Sequence, residues 1–312
     1  MPQVTTPDDD RRYEPYVRPV APSVRRTAET WVWQDRSVHL EHVGDPEAPV
    51  RMLLVHGAGG NAAAMWPFAA HLSQAGAYVT VLDLPGYGRT RGKDTTITYA
   101  DWRRVLVDAA ARIDDGRPLV LLGASLGGML ALDTAASSGR GDLVIATCLL
   151  DVGRSEVRAA LVRARWMARI ALPAARLVVG PLRRLRVPVR WLAPMQAISN
   201  DPALRAEVLR DPRGGGGSMP LGWFRTLLES GPAVPPEEYA GPPVLLTHPA
   251  CDRWTPTHIS AQFLRRLPVR TRLVELEGCG HFPVEEPGFE QLLGTVVSEV
   301  RGLARDRRAD PT

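Results

Sequence analysis

Four short, mostly apolar runs recur along the first half of the chain: Val50 to Val55, Tyr78 to Leu82, Leu119 to Leu122 and Leu143 to Leu150. Runs of this length, bounded by glycine, proline and aspartate, read as strands buried on both faces. The stretches between them, about 62–74, 99–113 and 126–137, carry apolar residues at helical spacing. Strand followed by helix followed by strand can close only as a mostly parallel sheet with helices on both faces, which makes the fold class α/β. A strand pair, Thr30 to Trp33 and Arg36 to His42, precedes the series, with a turn at Gly44-Asp45-Pro46. The alternation resumes late in the chain with a strand from Val244 to His248, a helix from about Pro256 to Arg266, a strand from Thr271 to Leu276 and a closing helix near Phe289 to Leu303.

At Asp151 the rhythm breaks. Residues 154–237 hold no convincing buried strand, but they do hold apolar and arginine residues at helical spacing, several prolines and the run Gly214 to Gly217. This is expected to be an inserted helical cap, and the glycine run would permit it to move. The expected organisation is a poorly ordered extension over 1–29, a first core part over 30–153, the cap over 154–237, a second core part over 238–304 and a tail over 305–312. The extension is assigned from its mixture of Pro, Asp and Arg without apolar periodicity. No internal repeat is present.

At 312 residues the chain can bury a substantial core. It has no apolar stretch long enough to span a bilayer and no apolar secretory core near Met1, so a cytoplasmic location is expected. Cys148, Cys251 and Cys279 are too few and oddly numbered for a disulfide framework. Cys251 and Cys279 each lie within two positions of a candidate catalytic residue, so their loops should converge, with two free thiols expected rather than a bridge. The net charge of +4 hides an asymmetry: from Arg154 to Arg190 there are ten arginines against one acid, Glu156. That basic segment has no helix-turn-helix, zinc-finger or RNP pattern beside it, so no nucleic-acid partner is expected.

The chemistry begins at Gly123-Ala124-Ser125-Leu126-Gly127, set between the strand ending at Leu122 and the helix that follows. A serine hydroxyl is a poor nucleophile until a base can take its proton, and a sharp strand-to-helix turn exposes the oxygen beside backbone N–H groups. A base and an acid should come from loops after other strand ends, where sites in parallel sheets gather. Asp252 follows one strand in Pro249-Ala250-Cys251-Asp252-Arg253-Trp254-Thr255-Pro256, and His281 follows the next in Gly278-Cys279-Gly280-His281-Phe282-Pro283. Asp151 also follows a strand and is the rival acid, while His56, His248 and His258 read as structural or surface residues. A competing reading takes Gly57-x-Gly59-x-x-Ala62, with Asp83 some twenty residues on, as a dinucleotide fingerprint. Such a site has no use for the serine, aspartate and histidine loops downstream, so Asp83 is expected to structure its own loop.

From about Trp31 to Leu303 the chain resembles the α/β-hydrolase superfamily. The likeness rests on the His-Gly-x-Gly-Gly loop at His56, the Asp-x-Pro-Gly-x-Gly loop at Asp83, the turn at Ser125, and the Asp252 and His281 loops, in that order. With Met129, the lidded layout and the Gly-His-Phe-Pro ending, it is most similar to the esterases, monoacylglycerol lipases and lysophospholipases of that superfamily. The resemblance implies that Ser125 attacks an acyl carbonyl, His281 relays the proton and Asp252 orients the imidazole. It implies an oxyanion hole from the backbone N–H groups of Ala58 and Leu126, with no metal and no organic cofactor. Relatives that bind a cationic amino terminus fit poorly with so basic a cap, and relatives with an aspartate nucleophile are excluded by Ser125.

Val157, Leu161, Trp166, Met167, Ile170 and Leu172 interleave with the arginines, a pattern suited to an anionic lipid surface or an anionic substrate group. A solvated basic helix face is the plainer alternative. Trp166 and Met167 are candidate substrate-binding residues. The expected activity is hydrolysis of medium or long acyl esters through an acyl-serine. The alternatives are thioester or carbon–carbon bond cleavage or acyl transfer with the same triad, and a non-catalytic ligand receptor on the same scaffold.

Overall fold

A computed structural model describes residues 11–92, 96–162, 173, 180 and 182–309. Eight strands form one sheet in the order β1-β2-β4-β3-β5-β6-β9-β10. These are β1 (Arg26–Trp33), β2 (Arg36–Val43), β3 (Val50–Val55), β4 (Ala77–Leu82), β5 (Leu119–Gly123), β6 (Leu143–Ala146), β9 (Val244–Pro249) and β10 (Thr271–Leu276). Only β2 runs against its neighbours, pairing antiparallel with β1 and with β4; from β4 to β10 every pairing is parallel. Strands β3, β5 and β6 are buried along their whole length, as expected of runs that are apolar at every position but Arg51.

The crossover helices are α1 (Ala62–Ser73), α2 (Tyr99–Ile113) and α3 (Leu126–Ser138), and the carboxy-terminal pair is α8 (Thr257–Leu264) and α9 (Gly288–Ala309). Helix α2 begins at a capping box: Thr98 accepts from the Asp101 N–H while the Asp101 carboxylate accepts from the Thr98 N–H. Helix α1 is apolar on every side and buried from Ala62 to Leu72. A helix with no polar face needs cover on its outer side as well as from the sheet.

That cover is the amino-terminal segment, and here the expected disordered extension is corrected over residues 11–29. Tyr13 and Val17 are buried in the main core, the Arg18 carbonyl receives a hydrogen bond from the His71 ring of α1, and Arg26 lies 4.5 Å over the Trp66 ring. Strand β1 starts at Arg26, inside the stretch read as extension. At the other end α9 runs through to Ala309, so the expected tail from 305 is helical for most of its length.

Strand β6 stops at Ala146, four residues short of the expected end. Between it and β9 lie short helices α4 (Ser155–Leu161), α5 (Val189–Leu192), α6 (Pro202–Arg210) and α7 (Leu221–Glu229). Two three-residue strands, β7 (Arg186–Pro188) and β8 (Ser218–Pro220), pair antiparallel among them, which the sequence reading did not anticipate. This insertion sits between β6 and β9 in the chain, at the carboxyl ends of the parallel strands. Among the described residues no helix is long and apolar enough to cross a membrane.

Candidate active site

Ser125 stands in the turn between β5 and α3 with φ of 56° and ψ of −126°, a region that a non-glycine residue occupies only under strain. Packing holds it there. A Cβ at Gly127 would lie 2.3 Å from the Val55 carbonyl oxygen, so the turn can press on β3 only because that residue is glycine. The Ala124 N–H bonds to the Val55 carbonyl at 2.9 Å, and the Ser125 N–H to the Thr147 hydroxyl at 2.8 Å. The Thr147 N–H bonds in turn to the Gly123 carbonyl at 3.0 Å, so this residue is held against the end of β5 while its hydroxyl reaches the elbow.

His281 and Asp252 arrive from the loops after β10 and β9, and both side chains are almost wholly buried. The imidazole Nε2 is 2.6 Å from Ser125 Oγ, and Nδ1 is 2.8 Å from Asp252 Oδ2. With a carboxylate at Nδ1, the network assigns the proton to Nδ1 and leaves Nε2 to accept from the serine hydroxyl. The other carboxylate oxygen accepts from the N–H groups of Trp254 at 2.7 Å and Thr255 at 2.9 Å. Burial opposes ionisation of Asp252, but the facing imidazole and these N–H donors outweigh it and hold its pKa below the ordinary value. The Trp254 ring stacks on the imidazole at 4.6 Å between centroids. Neither Thr147 nor Trp254 was singled out in the sequence, where a threonine and a tryptophan near strand ends carry no distinguishing signal.

The rival groups are engaged elsewhere. Asp151 accepts from the Gly153 N–H at 3.0 Å and lies 3.5 Å from the Arg266 guanidinium. The His56 ring receives the Leu84 N–H on Nε2 at 3.0 Å and faces the Gly57 carbonyl through Nδ1 at 2.8 Å. His258 is exposed and pairs with Glu156 at 3.0 Å. His248 is buried at the end of β9 with its Nδ1 against the Pro249 carbonyl and the Thr257 hydroxyl. Asp83 takes the Ala62 and Arg89 N–H groups at 2.6 Å each, so it ties its own loop to α1 as expected.

Gly57 lies on the elbow: a Cβ there would stand 3.0 Å from Ser125 Cβ and 3.2 Å from the Leu126 nitrogen. Ala58 is the next residue of this loop. Leu126 opens α3, so its N–H is one of those the helix leaves without an internal acceptor. Trp166 and Met167 lie outside the described residues. Cys148, Cys251 and Cys279 are free thiols, and the Cys251 N–H bonds to the Cys279 carbonyl at 3.0 Å, so those two loops do converge. Cys148, Asp252 and His281 have possible ligand atoms within 4.8 Å of one another. The aspartate and histidine already hydrogen-bond each other at 2.8 Å, and burial pushes the Cys148 thiol well above its usual pKa.

A family model described as the alpha/beta hydrolase family matches residues 52–290, more than half of the chain. The chain belongs to the alpha/beta hydrolase family. Among solved structures it is similar to a monoacylglycerol lipase of Paleococcus ferrophilus, at 21% identity over 85% of this chain and 99% of that one, with a TM-score of 0.67. It is also similar to a soluble variant of the Saccharomyces cerevisiae monoglyceride lipase in complex with a substrate analogue, at 18% identity over 88% and 94% of the two chains and a TM-score of 0.72. A thermophilic esterase from Thermogutta terrifontis matches at 19% identity over 90% and 99%, with a TM-score of 0.61. Likeness at these identities shows the fold.

Proposed function

We propose that this alpha/beta hydrolase is a serine esterase that cleaves medium or long acyl esters through an acyl-serine intermediate. One observation carries the reading: a strained serine whose hydroxyl lies 2.6 Å from an imidazole that is itself 2.8 Å from a buried carboxylate. Ser125 attacks the ester carbonyl as its proton passes to His281 Nε2. The imidazolium is stabilised by Asp252 and then protonates the leaving alcohol; water repeats the cycle to release the acid. The N–H groups of Ala58 and Leu126 receive the oxyanion, where a single such donor is worth about 3 to 4 kcal/mol in the transition state.

The acyl preference is supported by the apolar residues that interleave with the arginines of the insertion and by the monoacylglycerol lipases among proteins of the same fold. Contact with an anionic lipid surface belongs to the same proposal. Leu182, Leu185 and Trp191 are exposed to 43%, 52% and 58% beside the exposed Arg183, Arg184 and Arg190, a surface that combines apolar anchors with positive charge. A series of p-nitrophenyl esters from acetate to decanoate, run with wild type and Ser125→Ala, tests the reading. Rising kcat/KM with chain length in wild type, with no turnover and no fluorophosphonate labelling in the variant, is expected. Equal labelling of the variant would refute Ser125 as nucleophile, and a flat or falling series would refute the acyl preference.

A further inference from the structure

The amino-terminal segment does more than cover α1, because it ends in the same buried polar cluster as the loop that carries Ala58. At its centre is the Asp211 carboxylate, on the insertion just after α6. Its Oδ2 accepts from the Tyr13 hydroxyl at 2.9 Å and from Asn61 Nδ2 at 2.7 Å. Its Oδ1 accepts from the Arg213 N–H at 3.0 Å, and the Arg12 guanidinium lies 3.4 Å away. All three of Tyr13, Asn61 and Asp211 are at most 2% exposed.

Asn61 is bound at both ends. Its Oδ1 caps α1 by accepting from the Ala64 N–H at 2.9 Å, which turns Nδ2 toward the carboxylate and fixes the amide in one orientation. Three residues earlier in the chain is Ala58, and the intervening turn is closed by the Gly60 N–H on the Gly57 carbonyl at 3.1 Å. The opposite side of this turn meets the insertion. A Cβ at Gly214 would be 2.8 Å from the Gly59 carbonyl oxygen, and Gly214 in turn donates its N–H to the Asp211 carbonyl at 3.1 Å. The loop is thus gripped between the cap of α1 and a turn organised by Asp211.

We propose that Tyr13 and Asp211 are positioning residues for the oxyanion loop, so that the amino-terminal segment sets the rate of acyl transfer without touching substrate. The inference rests on the serine-esterase reading above. An oxyanion donor works only where it meets charge that develops late, and a misplacement near 1 Å costs about a hundredfold. Removing the tyrosine hydroxyl leaves a buried carboxylate one donor short, and that carboxylate re-forms its contacts by moving, with Asn61 attached. Burial and the neighbouring Asp211 charge push the Tyr13 hydroxyl far above its usual pKa, so it remains a neutral donor at working pH.

The test uses full-length Tyr13→Phe, Asp211→Asn and Arg18→Ala, with kcat and KM on one soluble p-nitrophenyl ester and amide hydrogen exchange of the peptide covering residues 57–61. Arg18 lies on the same segment but pairs with Glu286 and Glu290, away from Asp211. Tyr13→Phe is expected to lower kcat by about five- to twentyfold with KM within about twofold, to leave the shape of the pH profile unchanged and to speed exchange in that peptide. Asp211→Asn should do the same more severely, and Arg18→Ala should leave both readouts near wild type. Folded Tyr13→Phe with unchanged kcat and exchange overturns the inference, as does an equal loss of kcat in Arg18→Ala, which would mean general loosening. Wild type that neither turns over esters nor labels at Ser125 overturns the esterase reading and the rate claim together. Exchange that fails to respond in an active enzyme overturns the positioning claim alone.

Discussion

Asp252→Asn separates the orienting role assigned to this carboxylate from mere packing, because the asparagine is the same size and can keep half of the contacts. Asp252 offers Oδ1 to the Trp254 and Thr255 N–H groups and Oδ2 to His281 Nδ1. In the variant the amide oxygen stays with the two backbone donors, which leaves the NH2 facing Nδ1. Nδ1 must then accept, so the ring proton moves to Nε2, and Nε2 can no longer take the proton of Ser125. Loss of the correct tautomer in a triad of this kind costs about 10³ to 10⁴ in kcat, or about 4 to 5.5 kcal/mol of transition-state stabilisation. The assay is kcat on a soluble ester with circular dichroism as the check on folding, alongside Asp151→Asn, whose carboxylate serves Gly153 and Arg266. The second variant should keep kcat within about tenfold. Asp252 is held below its ordinary pKa, so the stability it contributes is present above the unfolded-state value and is lost as pH falls through the lower folded value. Loss of activity at pH values above the ordinary carboxylate range therefore does not come from protonation of Asp252. An Asp252→Asn enzyme that retains more than a tenth of wild-type kcat, or an Asp151→Asn enzyme equally damaged while folded, would refute this reasoning.

Two further substitutions should act in opposite directions although the chemical change is identical. Gly127→Ala places a Cβ 2.3 Å from the Val55 carbonyl and 2.9 Å from that of His56, so it should destabilise by at least about 1 to 3 kcal/mol in urea titration. Gly294→Ala, in α9 with nothing within 4 Å of the new atom, should stabilise by about 0.5 to 1 kcal/mol through helix propensity. Trp191→Ala should weaken co-sedimentation with anionic phosphatidylglycerol vesicles by about three- to tenfold while leaving kcat on a soluble ester unchanged; equal binding by wild type and variant would remove Trp191 from the proposed lipid surface.

The sheet was legible because its central strands are buried on both faces and are therefore mostly apolar: Leu119–Gly123 has no polar side chain, and Val50–Val55 has only Arg51, whose guanidinium pairs with Asp115. The candidate site was legible because an elbow, a histidine loop and an aspartate loop each follow a strand in a fixed order. What escaped was whatever depends on cover from a distant segment. Residues 11–25 look unstructured by composition, yet the clue to their packing lies in α1, whose Ala-Ala-Ala-Met-Trp-Pro-Phe-Ala-Ala stretch has no polar face to give to water. Gly214 to Gly217 also depend on packing that the sequence does not display. Read as freedom to move, they form a closed turn, with the Gly217 N–H on the Gly214 carbonyl at 2.9 Å and the Gly216 N–H on that of Asp211 at 2.9 Å. Glycine is needed there because backbone meets backbone, and a sequence does not distinguish that use of glycine from a hinge.

The two portions of the insertion consequently differ in what they can control. Met195 and Gly215 lie against Gly59, the Ile198 carbonyl accepts from the Phe282 N–H at 2.9 Å, and Asn200 donates to the Cys251 carbonyl at 3.1 Å. Glu285 completes the seam, accepting from the Ser199 hydroxyl, the Asn200 N–H and the Gly280 N–H within 3.1 to 3.2 Å. Residues 195–215 therefore touch the loops of Ala58, Asp252 and His281 at once, and on the proposed mechanism a change there should move these groups relative to one another and lower kcat. The stretch from Leu182 to Trp191 has no such ties to the catalytic loops among the described contacts and presents exposed apolar and basic side chains. On the proposed esterase and lipid-surface reading, changes there should alter which aggregated substrates reach Ser125 while sparing the chemistry.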